Sequence, residues 1–214
     1  QRHSILRQHK NFSSKEAMLE DAEALSRAVL EAQPDVIIHL AAQAGVRYSI
    51  ENPRAYVDAN IVGSFNLMEA ALQVKPAHLL MASTSSVYGS NVEMPYAEMH
   101  KADTQMSFYA ATKKANEALA HSWAHIHKIP ITMFRFFTVY GPWGRPDMAS
   151  FKFTRAILKG EPIDVYGHGQ MWRDFTYVED LVRAITLLIE VVPHSEKAID
   201  CDNLSHVAPF RVIN

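Results

Sequence analysis

Three short apolar segments alternate with helical segments along the first two thirds of the chain, and this alternation constrains the fold most. Residues 36–42, 77–83 and 131–137 are predominantly apolar runs of strand length. Runs without regular polar alternation are typical of parallel strands whose two faces are both buried. Because parallel strands need crossover connections, we predict an α/β fold with a doubly wound parallel sheet.

Helices are predicted between and after these strands from the spacing of their apolar residues. They span residues 21–32, 52–74, 109–127, 150–158 and 178–189. Asp21 is a predicted N-cap, Pro34 ends the first helix, and the Asn52-Pro53 pair is typical of a helix start. Asn60 and Asn66 interrupt the apolar side of the second helix. The residues on this side are Tyr56, Ile61, Phe65, Met68 and Leu72.

The sequence changes in character after residue 141. Residues 141–147 are rich in glycine and proline, which indicates turns, and a short strand is predicted at 163–166. We interpret this later part as a smaller region that faces the substrate.

Composition restricts the classes of partner. Of 214 residues, 48% are hydrophobic and 21% charged, so the chain can bury a substantial core. The net charge of −2, without long single-sign blocks, argues against nucleic-acid binding. No apolar run reaches the roughly 18 residues of a membrane span, so we expect no membrane partner. Cys201 is the only cysteine, which excludes an internal disulfide framework, favours a reducing compartment and predicts a cytoplasmic protein.

The segment from Tyr109 to Lys113 carries the residue types of a general base and its activator. Positions four apart share one face of a helix, so the phenol and the ammonium project into the same volume. A nearby cation favours the ionised form of a phenol, whose ordinary pKa is about 10, and we therefore expect a lowered pKa for Tyr109. Such strings also occur by chance on surface helices, so the motif needs support from its context.

Four hydroxyl residues upstream supply that context. The run from Ser83 to Ser86, which includes Thr84, follows the apolar segment, and ligands of open α/β sheets bind at such strand ends. We therefore expect Thr84 where a substrate would lie. A base, its activator and a hydroxyl clamp together suit hydride transfer at a sugar alcohol.

The 11 histidines raise the question of a metal site. His121 and His125 are four residues apart on a predicted helix, a spacing that can bind zinc. No carboxylate or cysteine joins them at a suitable spacing. We therefore interpret them as surface histidines and predict no metal site.

Five segments in order along the chain resemble the extended short-chain dehydrogenase/reductase family, whose members include NAD-dependent epimerases and dehydratases. They are residues 39–49, 83–89, 109–113, 135–148 and 172–177. The resemblance extends over roughly residues 18–214, and within the family it is greatest to the UDP-glucuronate 4-epimerases.

The resemblance implies two partial domains. Residues 1–141 would be a Rossmann-like dinucleotide-binding domain, with its N-terminal part missing, that includes the helix of Tyr109 and Lys113. Residues 142–214 would be an incomplete substrate-binding region, and one alternative left open is that it returns a strand to the first domain.

The resemblance also implies NAD as a recycled cofactor. Tyr109 would take the proton of the sugar C4 hydroxyl, Thr84 would hold that oxygen, and Lys113 would bond the nicotinamide ribose and lower the tyrosine pKa. The implied cofactor-binding residues are Ala41, Ala42, Gln43, Asn60, Ser83, Tyr109, Lys113 and Phe137.

A UDP-sugar is the implied substrate. Arg173 would meet the diphosphate, Tyr166 would pack on uracil, and Arg145 would pair with a C6 carboxylate. Related dehydratases and decarboxylases carry an acidic residue where Ser86 stands, and galactose epimerases usually carry Asn where Thr138 stands. The implied substrate-binding residues are Ser85, Ser86, Thr138, Arg145, Tyr166 and Arg173.

The implied activity is therefore NAD-dependent 4-epimerisation of UDP-glucuronate to UDP-galacturonate through a 4-keto intermediate. The alternatives are a 4-epimerase of the UDP-glucose/galactose type and a truncated chain without activity that serves as a binding or assembly module. A homodimer through the Tyr109 helix and its preceding helix is expected from the resemblance alone.

One departure from the family concerns the phosphate-binding turn. The fingerprint G-x-x-G-x-x-G is absent from the 214 residues, and Met18-Leu19 stands where relatives usually place an Asp. The chain also ends at Val212-Ile213-Asn214, within what looks like a substrate-domain strand. We therefore expect an internal piece of a longer chain, which by itself binds NAD poorly.

Overall fold

The computed structural model describes residues 2–170, 172–199 and 203–214. Cys201, on which the expectation about disulfides and compartment rests, lies outside the described residues. The α-helices are α1 (Arg2–Leu6), α2 (Ala22–Ala32), α3 (Tyr48–Glu51), α4 (Pro53–Tyr56), α5 (Gly63–Val74), α6 (Phe108–His127), α7 (Ala149–Lys159) and α8 (Val178–Ile189). The strands are β1 (Val36–His39), β2 (His78–Ala82), β3 (Ile131–Phe134), β4 (Thr138–Tyr140), β5 (Phe175–Tyr177) and β6 (Phe210–Ile213).

The main sheet is parallel throughout, with the strand order β1-β2-β3-β6. Ile37 pairs with Leu79, and Met81 pairs with Met133, so the carboxyl ends of the three strands lie at one edge. Asp21 caps α2 by accepting a hydrogen bond from the amide of residue 24 at 3.0 Å, as predicted. The parallel sheet that the apolar runs predicted is therefore confirmed.

Helices cover both faces of this sheet. Leu79 and Met81 pack with Met68 of α5 on one face. Leu80, which points to the other face because side chains alternate along a strand, packs with Ile185 of α8. Each fully buried side chain of this size stabilises the fold by about 1.5–3 kcal/mol. Cover on both faces confirms the doubly wound arrangement.

The first strand differs from its prediction in length and in burial. Sequence indicated a strand over 36–42 that is buried on both faces, but β1 ends at His39, and Ile38 is 40% exposed. The physical reason is position, because β1 lies at the edge of the described sheet and Ile38 has strand neighbours on one side only.

The predicted strand over 131–137 also ends early. β3 stops at Phe134, and the chain leaves the sheet before β4 pairs with β5 in a separate two-stranded parallel sheet. The strand predicted at 163–166 does not form. Tyr166 instead begins a tight turn to Gly169, in which Gly167 and His168 have positive φ angles of 59° and 53°. Extended pairing cannot continue through a left-handed backbone.

The last strand returns to the main sheet, which is the alternative left open for residues 142–214 and not the substrate-domain strand expected at residues 212–214. β6 joins the main sheet beside β3, with Phe210 opposite Ile131 and Val212 opposite Met133. Its apolar side chains complete the core of this sheet, because Phe210 packs in the cluster that contains Met133.

The helix predicted over 52–74 is interrupted by one wider turn. Asn52 caps α4, as its position before Pro53 predicted, and a π-helical segment at 57–62 separates α4 from α5. The two asparagines that interrupt the apolar pattern are buried. Asn66 donates to the carbonyl of Leu19 at 3.1 Å, and Asn60 lies inside the π-helical segment. A wider turn of this kind is frequent at functional sites.

Candidate active site

Thr84 and Tyr109 meet at the carboxyl edge of the main sheet. Thr84 follows β2 by two residues, and its hydroxyl accepts a hydrogen bond from the amide of Ser86 at 3.2 Å, which begins a short helical turn at 85–88. Ser107 caps α6 by accepting from the amide of residue 110 at 3.1 Å, which places Tyr109 in the first turn. The Thr84 hydroxyl lies beside the Tyr109 phenol and lowers its pKa.

The expectation of a lowered pKa for Tyr109 is wrong for this chain. Burial raises the pKa of Tyr109 above its ordinary value, while the Thr84 hydroxyl and the charge of Arg145 lower it. The ring of Tyr56 lies 6.0 Å from that of Tyr109, edge to face, and adds to the rise. The cation that acts on the phenol is therefore Arg145.

Lys113 is buried one turn beyond Tyr109, with 3% of its surface exposed. Burial lowers the pKa of Lys113 from its ordinary value to about 8, because a low-dielectric environment disfavours the charged form. Glu117, one further turn along α6, opposes this effect. Both Lys113 and Tyr109 are thus pushed by burial toward their neutral forms.

The loop after β1 is clamped to the π-helical segment. Asn60 accepts a hydrogen bond from the amide of Gln43 at 2.8 Å and donates to its carbonyl at 3.1 Å. Asn60 also donates to the hydroxyl of Thr112 on α6 at 3.0 Å. These contacts bring the predicted cofactor residues Gln43 and Asn60 together, and Ala41 and Ala42 lie in the same loop.

Tyr56 is a site residue that sequence reasoning assigned only to a helix face. It is fully buried, and its hydroxyl donates to the carbonyl of Gly45 at 2.5 Å and lies 3.0 Å from that of Ala44. Tyr56 therefore fixes the same loop from the side of α4. No local signal separated this hydroxyl from an ordinary core aromatic.

A buried polar chain behind the loop was also missed. His39, at the end of β1, lies 3.1 Å from the hydroxyl of Ser64, which accepts from the amide of Asn116 at 3.1 Å. Asn116 donates as well to the carbonyl of Asn60 at 2.8 Å. Burial, and secondly the charge of Lys113, lower the pKa of His39 to about 4, so this imidazole is neutral near pH 7. The only sequence signal was a histidine inside an apolar run.

A second polar network lies below the strand ends. Ser83, predicted to bind the cofactor, donates instead to the Glu117 carboxylate at 2.7 Å. Arg135, directly after β3, binds both oxygens of that carboxylate, at 3.0 and 2.9 Å. Lys114 donates to it at 2.8 Å. Glu117 and Arg135 were absent from the predicted site, although a charged residue in each apolar pattern could have drawn attention to them.

Four of the six predicted substrate residues line a cleft of about 610 Å³ beside this edge of the sheet. They are Ser85, Ser86, Thr138 and Arg173. Phe137, predicted to contact the cofactor, lies in the same wall. The cleft is also lined by residues that were not predicted, including Val46, Tyr96, Met106 and Trp172.

Arg145 lies close to the phenol of Tyr109, as its effect on that pKa requires. Its guanidinium binds Asp147 through two hydrogen bonds, one of them 3.0 Å long. Its terminal nitrogen lies 3.6 Å from the point where a side chain at Gly45 would begin. The structure therefore brings Arg145 to the mouth of the site, with a carboxylate partner that sequence reasoning did not assign.

Tyr166 is not part of the cleft wall. Its exposed ring lies 5.2 Å from the guanidinium of Arg47, in cation–π geometry. The tight turn that replaces the predicted strand 163–166 places the ring there. Of the predicted substrate residues, Ser85, Ser86, Thr138 and Arg173 line the cleft, whereas Arg145 and Tyr166 lie outside its lining.

The paired histidines of α6 have protein partners. His121 lies 2.9 Å from the hydroxyl of Ser205, and His125 lies 2.7 Å from the carbonyl of Val207. Within residues 2–170, 172–199 and 203–214, side chains of His, Asp and Glu form no cluster of three suited to a metal ion. In the same residues, the helices are too short or too polar to cross a membrane.

Known proteins are similar to this chain over most of its length. The sequence model of the NAD dependent epimerase/dehydratase family matches residues 2–199. A probable UDP-glucuronate 4-epimerase of Rhizobium meliloti is 59% identical over 217 residues, which cover 100% of this chain and 64% of the relative. UDP-glucuronate 4-epimerase 4 of Arabidopsis thaliana is 47% identical over 184 residues, 84% of this chain and 42% of the relative.

Solved structures are similar as well. UDP-glucuronic acid 4-epimerase of Bacillus cereus, in complex with UDP-glucuronic acid and NAD, has a TM-score of 0.82 at 32% identity, over 99% of this chain and 62% of that one. UDP-glucose 4-epimerase of Thermotoga maritima with UDP-glucose has a TM-score of 0.81 at 32% identity, over 85% and 60%. The chain thus spans less than two thirds of the length of each of these proteins.

The lowered pKa of His39 predicts a loss of stability in acid. The unfolded chain takes up a proton near pH 6.5, whereas the folded chain does so only near pH 4, so the free energy of unfolding falls as the pH decreases between these values. The loss is on the order of 3 kcal/mol. The free energy of unfolding, measured by urea denaturation at several pH values across this range, should depend less steeply on pH in His39→Asn than in the wild type. The exposed His9→Asn variant is the control, and an equal slope in His39→Asn and wild type would contradict the prediction.

Proposed function

Because the chain belongs to the NAD-dependent epimerase/dehydratase family, we propose that it catalyses the 4-epimerisation of a UDP-sugar, UDP-glucuronate to UDP-galacturonate. The observation that carries the proposal is the placement of Thr84 and Tyr109 side by side at the carboxyl edge of the sheet, one helical turn from the buried Lys113. The similarity to UDP-glucuronate 4-epimerases supports the choice of sugar. A cytoplasmic location, expected from the single cysteine, is part of the same proposal.

Tyr109 and Thr84 are suited to transfer the proton of the sugar C4 hydroxyl. The Tyr109 oxygen, in the phenolate form that Thr84 and the charge of Arg145 favour against burial, takes the proton of the sugar C4 hydroxyl and later returns it, as a general base and then a general acid. Thr84, which lies beside that phenol, holds the C4 oxygen within reach. The sugar passes through a 4-keto form, and its turning over in the cleft exposes the opposite face of C4. The product then differs from the substrate only in configuration at C4.

The residues present fit the nicotinamide side of NAD. Lys113 is buried. The Glu117 carboxylate, one turn further along the helix, already receives hydrogen bonds from Ser83, Arg135 and Lys114. The Lys113 ammonium is therefore suited to bond the ribose hydroxyls. The loop of Ala41, Ala42 and Gln43, held by Asn60, would line the cofactor. NAD, when bound, supplies a reversible acceptor for the hydrogen and electron pair of C4. The chain itself carries no glycine fingerprint for the pyrophosphate, so the fit concerns this side alone.

Arg145 is the proposed determinant of a uronate substrate. It lies near Tyr109, and a guanidinium fork matches a carboxylate. Oxidation at C4 of a uronate creates a β-keto acid, which loses carbon dioxide when the carboxylate bond aligns with the ketone. A carboxylate held by Arg145 is kept out of that alignment. Asp147, which binds Arg145 in this structure, would have to yield its place to the substrate.

The cleft supplies the remaining substrate contacts. Ser86 and Thr138 place hydroxyl groups in its wall, which suit hydrogen bonds to the sugar, and Ser85 lies beside them. Arg173 in the same wall is the proposed partner of the diphosphate, because arginine binds phosphate oxygens through two parallel hydrogen bonds.

We also propose that two copies of the chain associate through α5 and α6. Phe65, Leu119 and Ile126 are exposed apolar residues on these helices, and Val62, directly before α5, is exposed as well. The ring of Phe65 packs edge to face against Trp123 at 5.9 Å, which joins the two helices into one surface. Exposed apolar patches of this kind are typical of association surfaces. A second copy presenting the same surface would cover it with twofold symmetry.

The variant Tyr109→Phe tests the proposed base. It removes only the phenol oxygen, so turnover of UDP-glucuronate should fall by at least ~100-fold while the fold persists. Separation of the product sugars by chromatography measures turnover, and circular dichroism reports the fold. Tyr140→Phe, which removes the hydroxyl of an exposed tyrosine, should retain activity. Retained activity in Tyr109→Phe would contradict the assignment of Tyr109 as the base.

The variant Arg145→Ala separates a uronate enzyme from a neutral-sugar 4-epimerase. Loss of a charge-assisted contact at a half-exposed site should raise KM for UDP-glucuronate by roughly tenfold or more. KM for UDP-glucose should change little, because that sugar has no carboxylate. Arg155→Ala on α7 removes an exposed arginine as the matched control. An equal change for both sugars would favour the neutral-sugar alternative.

The proposed association surface predicts the oligomeric state of a variant. Phe65 and Phe151 are both 40% exposed, but only Phe65 lies on α5. Phe65→Asp should convert a dimer into a monomer, because it places an unpaired charge in an apolar interface. Phe151→Asp should not. Light scattering after size-exclusion chromatography measures the mass, and a dimeric Phe65→Asp protein would contradict this surface.

A further inference from the structure

We propose that Glu117 is a positioning residue, which joins the strand end that carries Thr84 to the helix that carries Tyr109 and places a buried carboxylate one helical turn from the buried Lys113 side chain. The catalytic meaning of this role rests on the proposed function. The contacts themselves stand on the geometry of three elements, the ends of β2 and β3 and the middle of α6.

The Glu117 carboxylate is almost completely buried, at 4% exposure, and receives hydrogen bonds from all three elements. Ser83 donates to one oxygen at 2.7 Å, from the end of β2. Arg135 donates to both oxygens, at 3.0 and 2.9 Å, from the end of β3. Lys114 donates to the second oxygen at 2.8 Å, from α6 itself. One carboxylate thus ties the helix of the proposed base to both neighbouring strand ends.

The contact with Ser83 fixes the direction of Thr84. Thr84 has an extended backbone, with φ of −158° and ψ of 146°, and adjacent side chains of an extended chain point to opposite sides. Ser83 points down to Glu117, so Thr84 points to the other side, where it meets Tyr109. A change at Glu117 is therefore expected to alter the position of the Thr84 hydroxyl without any contact between Glu117 and substrate.

The charge of Glu117 acts on Lys113, one turn before it on α6. Burial lowers the pKa of Lys113, and Glu117 is the group that raises it. From β1 the facing titratable group is His39, which is neutral near pH 7. Arg135 and Lys114 face Glu117 and hold its own pKa below the ordinary value, although burial opposes them. The carboxylate is therefore ionised throughout the pH range in which Lys113 loses its proton.

The test measures the protonation of Lys113 directly and does not depend on turnover. Lysine labelled with ¹³C at the ε carbon gives an NMR signal that titrates, and Lys113→Arg assigns it. In Glu117→Gln, which keeps the shape of the side chain and removes the charge, the pKa of Lys113 should fall by about one pH unit, a tenfold loss of proton affinity. The alkaline limb of the pH–rate profile for UDP-glucuronate should shift to lower pH by the same amount, about one pH unit.

Two further variants separate charge from structure. Lys114→Gln removes a positive charge from the same carboxylate, so the pKa of Lys113 should stay unchanged or rise. Glu117→Gln/Arg135→Gln removes the buried arginine that the single variant leaves without its carboxylate, and the fall in pKa should persist. The double variant keeps the test valid if the single variant does not fold.

Three results would overturn the inference. The first is an unchanged Lys113 pKa in a folded Glu117 variant, and the second is an equal fall of the Lys113 pKa in Lys114→Gln. The third is a turnover rate of Glu117→Gln that is lower than that of the wild type by the same factor at every pH. A wild-type protein that leaves UDP-sugars unchanged would refute the proposed function instead. The NMR titration would still decide whether Glu117 controls Lys113.

Discussion

Parallel pairing of β1, β2 and β3 is the constraint on which the site depends. It brings the carboxyl ends of the three strands to one edge, where Gln43, Thr84 and Arg135 follow within a few residues of the strand ends. Helix α6 then begins at the same edge, because Ser107 caps it there. Residues that are far apart in sequence therefore share one cleft, as is general for open α/β sheets.

Burial and charge act in opposite directions on the two titratable groups of this site. Burial raises the pKa of Tyr109 and lowers that of Lys113, so it favours the neutral form of both. Thr84 and Arg145 oppose the first effect, and Glu117 opposes the second. The chemistry of the site is thus decided by residues around the motif, because a tyrosine and a lysine one turn apart do not by themselves stabilise each other's charge here. Buried polar partners become strong in such an environment and costly to remove.

Local patterns predicted those features that depend on neighbouring residues. Helix α8 has the bounds that apolar spacing indicated, and Asp21 caps α2 as its residue type predicted. Prediction failed where distant partners decide the outcome. Ile38 is exposed because β1 lies at the edge of the described sheet, and β6 pairs with β3 because its apolar residues complete that core. His39 and Glu117 escaped notice, since a polar residue in an apolar pattern has no visible partner until the fold supplies one.

The amino-acid sequence alone determined the parallel α/β class, the positions of most helices, and the presence of Thr84, Tyr109 and Lys113 beside a strand end. Periodicity, capping and strand-end chemistry act over a few residues, so they can be recognised without coordinates. The tertiary structure alone decided which charges meet. Arg145 reaches the phenol, Glu117 receives Ser83 and Arg135, and Tyr166 lies against Arg47, because each of these contacts joins elements that only folding brings together.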